Sequence, residues 1–206
     1  MLRLNCILFR AKKGDDKMKK RVIWFFGESA TGKGTLIKNI LKNQDNVQEM
    51  LGLDGLNIDV VDRTIMSNLS TFDDTNNEIT RRKIILEKLA EFSINDRNVL
   101  LIKGQTNDMD KRFGNTLHTA KEMFPDLQQE IWLLEVPDLN LHYERLLGKD
   151  WYCANKDKYE AMGWDKNWLA RKVLEHRQKV LEYGKEGFEI KIIDSTKEYK
   201  VVKGRR

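Results

Sequence analysis

The sequence predicts an α/β fold, a three-layer α/β/α sandwich on a mainly parallel sheet with one small insertion. Three observations predict it. Strand-sized apolar segments alternate with segments of helical periodicity from residue 21 to residue 193. Within residues 21–42 a strand, a glycine-containing loop and a helix follow one another. The chain has 206 residues, enough for one sizeable core and within the ordinary range of a single domain.

Residues 1–17 are loosely patterned, end in the charged run from Lys12 to Lys17, and predict an N-terminal extension ahead of a domain spanning 18–206. Arg21 to Phe26 is apolar on both faces, as a central parallel strand covered by helices must be. Gly27 to Gly34 breaks that run, and Thr35 to Lys42 carries apolar positions at helical spacing. Strands are further predicted at Asn57–Val61, Asn98–Lys103, Glu130–Val136 and Phe188–Ile193, and helices at Glu78–Phe92, Thr116–Phe124, Leu139–Leu147 and Trp168–Tyr183. Gly148 to Asn167 reads as an irregular insertion. Such alternation implies right-handed βαβ crossovers.

Composition narrows the class. Hydrophobic residues are 40% and charged residues 33%, with two prolines, a globular balance rather than a disordered one. The longest apolar runs, such as Val22–Phe26 and Val99–Ile102, fall far short of the ~20 residues a membrane helix needs. Met1–Phe9 contains Arg3 and lacks a long apolar stretch with a small-residue cleavage site, so a cytoplasmic location is expected. Cys6 and Cys153 have neither disulfide-framework nor zinc-like spacing. The net charge of +5 suits a phosphate-bearing partner without separating ATP from nucleic acid.

Gly27-Glu28-Ser29-Ala30-Thr31-Gly32-Lys33-Gly34-Thr35 matches the GxxxxGK part of a Walker A loop. Glycines let backbone amides turn inward around an anion, the following helix aims its positive end at the same place, and Lys33 adds a point charge near the β and γ phosphates. Gly34 stands where many P-loop NTPases place the hydroxyl that holds magnesium, and Thr35 follows. Gly32-Lys33-Gly34-Thr35 resembles adenylate kinases and related nucleoside and nucleotide kinases, although Ser29 and Ala30 replace the usual proline and middle glycine of the adenylate kinase loop. That resemblance implies a P-loop small-molecule kinase using ATP and Mg2+, with Thr35 near the metal and a lid over the transferred phosphate.

The remaining candidates rest on position along the sheet. Asp62 falls at the carboxyl end of the second strand, where open parallel sheets bind ligands, and is the candidate catalytic acid and metal contact; Asp59 is the alternative carboxylate. Arg63 beside it is a candidate for the acceptor's anionic group, and a surface turn pair is the alternative for both. The third strand ends without the acid of a Walker B segment, leaving Gln105 and Asp108 as candidate acceptor contacts. Arg145, Arg171 and Arg177 are the candidate lid arginines that would stabilise developing charge; a solvated helix face is the alternative for each. Lys149 stands where the resembled family often has a second arginine, keeping the charge without the planar fork. The insertion, about 148–167, is aromatic, with Trp151, Tyr152, Tyr159, Trp164 and the following Trp168 forming either a small lid core or a stacking surface. His118, His142 and His176 show no ligand-like spacing and receive no role.

An ATP-dependent phosphotransferase acting on a small molecule, a nucleoside or nucleotide first, is therefore expected. A polynucleotide 5'-hydroxyl kinase, suggested by the basic ends Lys12–Arg21 and Lys200–Arg206, and a non-catalytic ATP-binding regulator are the alternatives. The sequence lacks the NKxD motif and the hydroxyl directly after the lysine that a switch GTPase would carry.

Overall fold

The computed structural model describes residues 19–61, 74–103, 116–196 and 201–203. Strand β1 (Arg21–Phe26) leads through the glycine loop into α1 (Lys33–Lys42), then through a 3-10 turn into α2 (Val47–Leu51) and β2 (Ile58–Val61). The chain continues with α3 (Asp74–Ile94), β3 (Val99–Lys103), α4 (Thr116–Met123) and β4 (Gln128–Glu135). Then come α5 (Leu139–Leu147), the short α6 (Asp150–Cys153) and α7 (Lys156–Ala161), the long α8 (Lys166–Lys185), β5 (Glu189–Asp194) and β6 (Val201–Lys203).

The six strands lie in the order β2-β3-β1-β4-β5-β6. The first five are parallel and β6 closes the edge antiparallel to β5. β1 is flanked by β3 and β4, and its alternate side chains enter different cores. Val22, Trp24 and Phe26 pack with Ile85, Leu89, Phe92, Leu117 and Val180 on one face. Ile23 and Phe25 pack with Leu36, Ile37, Ile40 and Leu51 on the other. Each of these large apolar side chains contributes about 1.5–3 kcal/mol on burial, which is why a strand apolar on both faces can only be central.

Helix ends follow local chemistry. Asp138, after Pro137, caps α5 by accepting from the amides of Asn140 at 2.8 Å and Leu141 at 3.3 Å. Asp165 caps α8 through the Trp168 amide at 2.7 Å. Asn43 ends α1 in the left-handed conformation, which asparagine tolerates better than most residues.

Some boundaries differ from those expected. The insertion is not irregular: α6 and α7 form within it, and α8 begins at Lys166. Short helices here escaped the periodicity reading because neither is long enough to show a repeat. The edge strand β6 and helix α2 were not predicted, and β4 starts two residues early, at the polar Gln128. Glu130, 1% exposed, accepts from Arg21 Nε at 2.6 Å and Trp132 Nε1 at 2.9 Å, with Lys191 Nζ 3.3 Å away. A buried carboxylate is tolerable only when so paired.

No helix among the described residues is long and apolar enough to cross a membrane. The N-terminal extension, Cys6, Asp62, Arg63, Gln105 and Asp108 lie outside the described residues.

Candidate functional site

The glycine loop leaves β1 at the carboxyl end of the sheet, between the ends of β3 and β4. Its turn depends on backbone that most side chains avoid. Gly27 has φ +137°, and a Cβ there would stand 2.5 Å from the Leu134 carbonyl oxygen and 2.9 Å from Thr31 Oγ1. Ala30 (φ 65°) and Gly32 (φ 88°) are also left-handed. Thr31 is buried and donates its hydroxyl to the Glu28 carbonyl at 2.9 Å, cross-bracing the loop. Gly32 then opens α1, whose first-turn amides have no partners of their own within a helix and so face the cradle.

Lys33 curls back into that cradle. Its ammonium donates to the carbonyls of Gly27 at 2.6 Å and Glu28 at 3.0 Å. Burial lowers its pKa from 10.5 to about 8; the Glu28 carboxylate opposes the fall, while Lys103 and Lys149 add to it. The ammonium thus rests on two carbonyl oxygens, with the Glu28 carboxylate as a nearby negative charge.

Two histidines to which no role was assigned from sequence support the loop from behind. His142, buried on α5, places Nε2 2.7 Å from the Ser29 carbonyl oxygen, so Nε2 carries the proton and donates. His176, buried on α8, places Nδ1 3.2 Å from a Glu28 carboxylate oxygen, but off the line that a hydrogen bond needs. The other Glu28 oxygen accepts from the Ser29 amide at 2.9 Å. Burial lowers the pKa of both histidines. Gly27, Glu28, Thr31, Glu135, His142 and His176 share the lining of a small cavity behind the loop. No spacing in the sequence marks them: both histidines lie on helices between β4 and β5, and their approach to the loop follows from the order of strands in the sheet.

The other expected residues separate. Thr35 is exposed on the first turn of α1. Arg145 is partly buried near the end of α5, one turn beyond His142, whose pKa it helps to lower. Arg177 is half exposed and reaches Glu135 at 3.7 Å, and Arg171 is exposed on α8. Lys149, rather than any of the three arginines, is close enough to Lys33 to depress its pKa. Asp59 accepts from the adjoining Val60 amide at 2.8 Å. No group of three or more potential metal-ligating side chains occurs among the described residues.

The aromatics form a ladder. Tyr152 stacks on Tyr159, Tyr159 on Trp164 and Trp164 on Trp168, with centroids 5.3, 4.5 and 4.3 Å apart. Trp151 meets Tyr159 edge-on. These rings surround buried Leu146 and Leu169, and Ala30 of the loop packs against the same cluster. The rings are therefore the core that holds the insertion, and that core abuts the glycine loop.

No protein-family model and no curated protein matches the sequence. Solved structures do. One from the PezAT chromosomal toxin-antitoxin system of Streptococcus pneumoniae is similar with a TM-score of 0.54 and 19% identity, over 95% of this chain and 75% of that chain. The crystal structure of APE1195 is similar with a TM-score of 0.45 and 16% identity, over 74% of this chain and 77% of that one, too distant to support any argument. The first likeness, with the parallel sheet and the loop at its carboxyl edge, fits a P-loop NTPase fold.

Proposed function

We propose that this chain is an ATP-dependent phosphotransferase that moves the γ phosphate to a small molecule, a nucleoside or nucleotide being the first candidate. The observation that carries this reading is Lys33, whose ammonium lies on the loop carbonyls with a pKa depressed to about 8. A triphosphate entering the cradle replaces those carbonyls as partner, accepting from Lys33 and from the first-turn amides of α1. The loop residues Gly27, Ser29, Ala30, Thr31, Gly32, Gly34 and Thr35 would surround it.

In the reaction an acceptor oxygen attacks the γ phosphorus in line, the bond to the β–γ bridging oxygen breaks, and ADP leaves. Asp62 is the proposed acceptor of the hydroxyl proton, and Arg63, Gln105 and Asp108 the proposed acceptor contacts. Arg145, Arg171 and Arg177 are proposed to close over the transferred group as the insertion moves. Magnesium, when it accompanies the nucleotide, neutralises phosphate charge. The described residues do not fit an ion anchored by the protein: Thr35 offers one hydroxyl, Glu28 is turned toward Ser29 and His176, and β3 ends in lysine.

The test is turnover of ATP with magnesium against a panel of nucleosides, nucleoside monophosphates, sugars and 5'-hydroxyl oligonucleotides, beside Lys33→Ala. Acceptor-dependent ADP release that the variant loses is expected. Binding of ATP without transfer to any acceptor would favour a nucleotide-binding regulator instead, a reading to which the lysine at the end of β3 lends weight.

A further inference from the structure

His142 reaches the glycine loop from a distant part of the chain. It is buried on α5, and its Nε2 donates to the Ser29 carbonyl oxygen at 2.7 Å. The next residue, Ala30, holds φ 65°, a left-handed conformation that an L side chain adopts at a cost and that persists only where the surroundings enforce it. The Ser29–Ala30 peptide is trans, so its C=O and N–H point in opposite directions. A carbonyl fixed on α5 behind the loop therefore leaves the Ala30 N–H aimed at the cradle. Rotating this one peptide by half a turn would carry Ala30 φ from 65° to roughly −115°, inside the broad extended region, and would turn the Ser29 carbonyl oxygen into the cradle instead.

We infer that His142 is a positioning residue of the phosphate cradle: by holding the Ser29 carbonyl it keeps the Ser29–Ala30 peptide from rotating, so that a nucleotide phosphate meets the Ala30 N–H rather than a carbonyl oxygen. The inference rests on the nucleotide-binding reading above.

The other contacts of the loop divide the work. The Gly27 and Glu28 carbonyls accept from Lys33, and the Glu28 carbonyl also accepts from Thr31. Lys33 is the group that phosphates draw to themselves, whereas the bond from His142 does not depend on it. The Ala30 side chain packs against the cluster of Leu146, Tyr152 and Leu169, and Leu146 lies one turn beyond His142 on α5. One helix thus holds both the carbonyl before Ala30 and the cluster under its methyl group. The ring needs no charge for this. Burial lowers its pKa against the Ser29 carbonyl and Glu28, and a neutral imidazole protonated on Nε2 donates there as the cation does.

The experiment is calorimetric titration of the full chain with ATP and magnesium for the wild type, His142→Leu, His142→Gln, Ala30→Gly and the double variant of His142→Leu with Ala30→Gly. Losing the bond lets the rotated peptide compete, and apparent affinity falls with the competent fraction. His142→Leu should bind roughly tenfold or more weakly, from one lost hydrogen bond and the left-handed penalty of alanine together. His142→Gln, whose terminal amide supplies a donor near the Nε2 position, should stay within about threefold of wild type. Glycine takes the left-handed conformation freely, so beside Gly at position 30 the His142→Leu change should cost at least about threefold less than beside alanine. A histidine that only fills space would cost the same on both backgrounds. Thermal melting identifies any variant that has lost its fold. Nitrogen NMR of the wild-type ring needs no variant and should place the His142 proton on Nε2 with and without ATP. His142→Leu binding as tightly as wild type, equal losses on the two backgrounds, or a wild-type proton on Nδ1 overturns the inference and leaves the nucleotide reading intact. No wild-type ATP binding overturns both.

Discussion

ATP binding above neutral pH should draw a proton from solution, because Lys33 is partly deprotonated before the ligand arrives. Its pKa of about 8 in the unliganded loop reflects burial first, with Lys103 and Lys149 adding to it against Glu28. Bound phosphates favour the ammonium and restore its pKa toward the ordinary value. The expected uptake follows from the free-state fraction: roughly 0.1 proton at pH 7, about 0.5 at pH 8 and roughly 0.9 at pH 9. The γ phosphate contributes little above pH 8, since the second ionisation of a phosphate ester lies near ~6. Calorimetry of ATP binding at pH 8.5 in buffers of different ionisation enthalpy measures the uptake directly. Affinity should weaken by up to about tenfold per pH unit between pH 8 and 10. Lys33→Arg, which stays charged throughout, should show no uptake where it still binds. Tight wild-type binding at pH 8.5 with no proton uptake would refute the argument. The same linkage has a stability side. A lysine whose folded pKa is lowered holds fewer protons folded than unfolded between about 8 and 10.5, so stability rises with pH across that window. Below it the fall in pKa costs about 3 kcal/mol. Lys33→Met should therefore melt higher than wild type at pH 7 while losing ATP.

Three further outcomes are expected. Glu130→Ala should cost about 2–3 kcal/mol in denaturant unfolding, since it takes the buried carboxylate from the partly buried Arg21 and Lys191. Burial alone would raise the Glu130 pKa, but Arg21, Trp132 and Lys191 outweigh it and hold the pKa low; the wild type's advantage should therefore be complete above the unfolded value near ~4.3 and fade as pH falls through the lower folded one. Gly27→Ala should lose roughly 2 kcal/mol or more and its ATP binding, because the new Cβ meets a backbone oxygen at 2.5 Å, whereas Gly163→Ala, at φ +72° with open space around it, should cost about 1 kcal/mol. Trp164→Ala removes the middle of the ring ladder and should lower stability by about 2–3 kcal/mol; unchanged melting with weakened ATP binding would show instead that the rings serve the ligand.

The loop was legible because its chemistry is local. A strand apolar on both faces, glycines at positions 27 and 32, and a lysine opening a periodic helix are all contained in sixteen consecutive residues from Arg21 to Leu36, and neighbouring backbone fixes their geometry. The same holds for the caps at Asp138 and Asp165. The short helices α6 and α7 and the edge strand β6 were not legible, since elements of three to six residues carry too little periodicity to announce themselves.

What surrounds the loop was decided only by tertiary structure. Sequence by itself determined the fold class, the position of the glycine loop and the central place of β1, because hydrophobic period and backbone conformation act over a few residues. It could not bring His142 and His176 to Glu28 and Ser29, because those contacts span more than a hundred residues and depend on how α5 and α8 return across the sheet. Nor could it show that Lys103 lies against Gly34. That meeting follows from β3 pairing with β1 in one register, and register is settled by the packing of both sheet faces together.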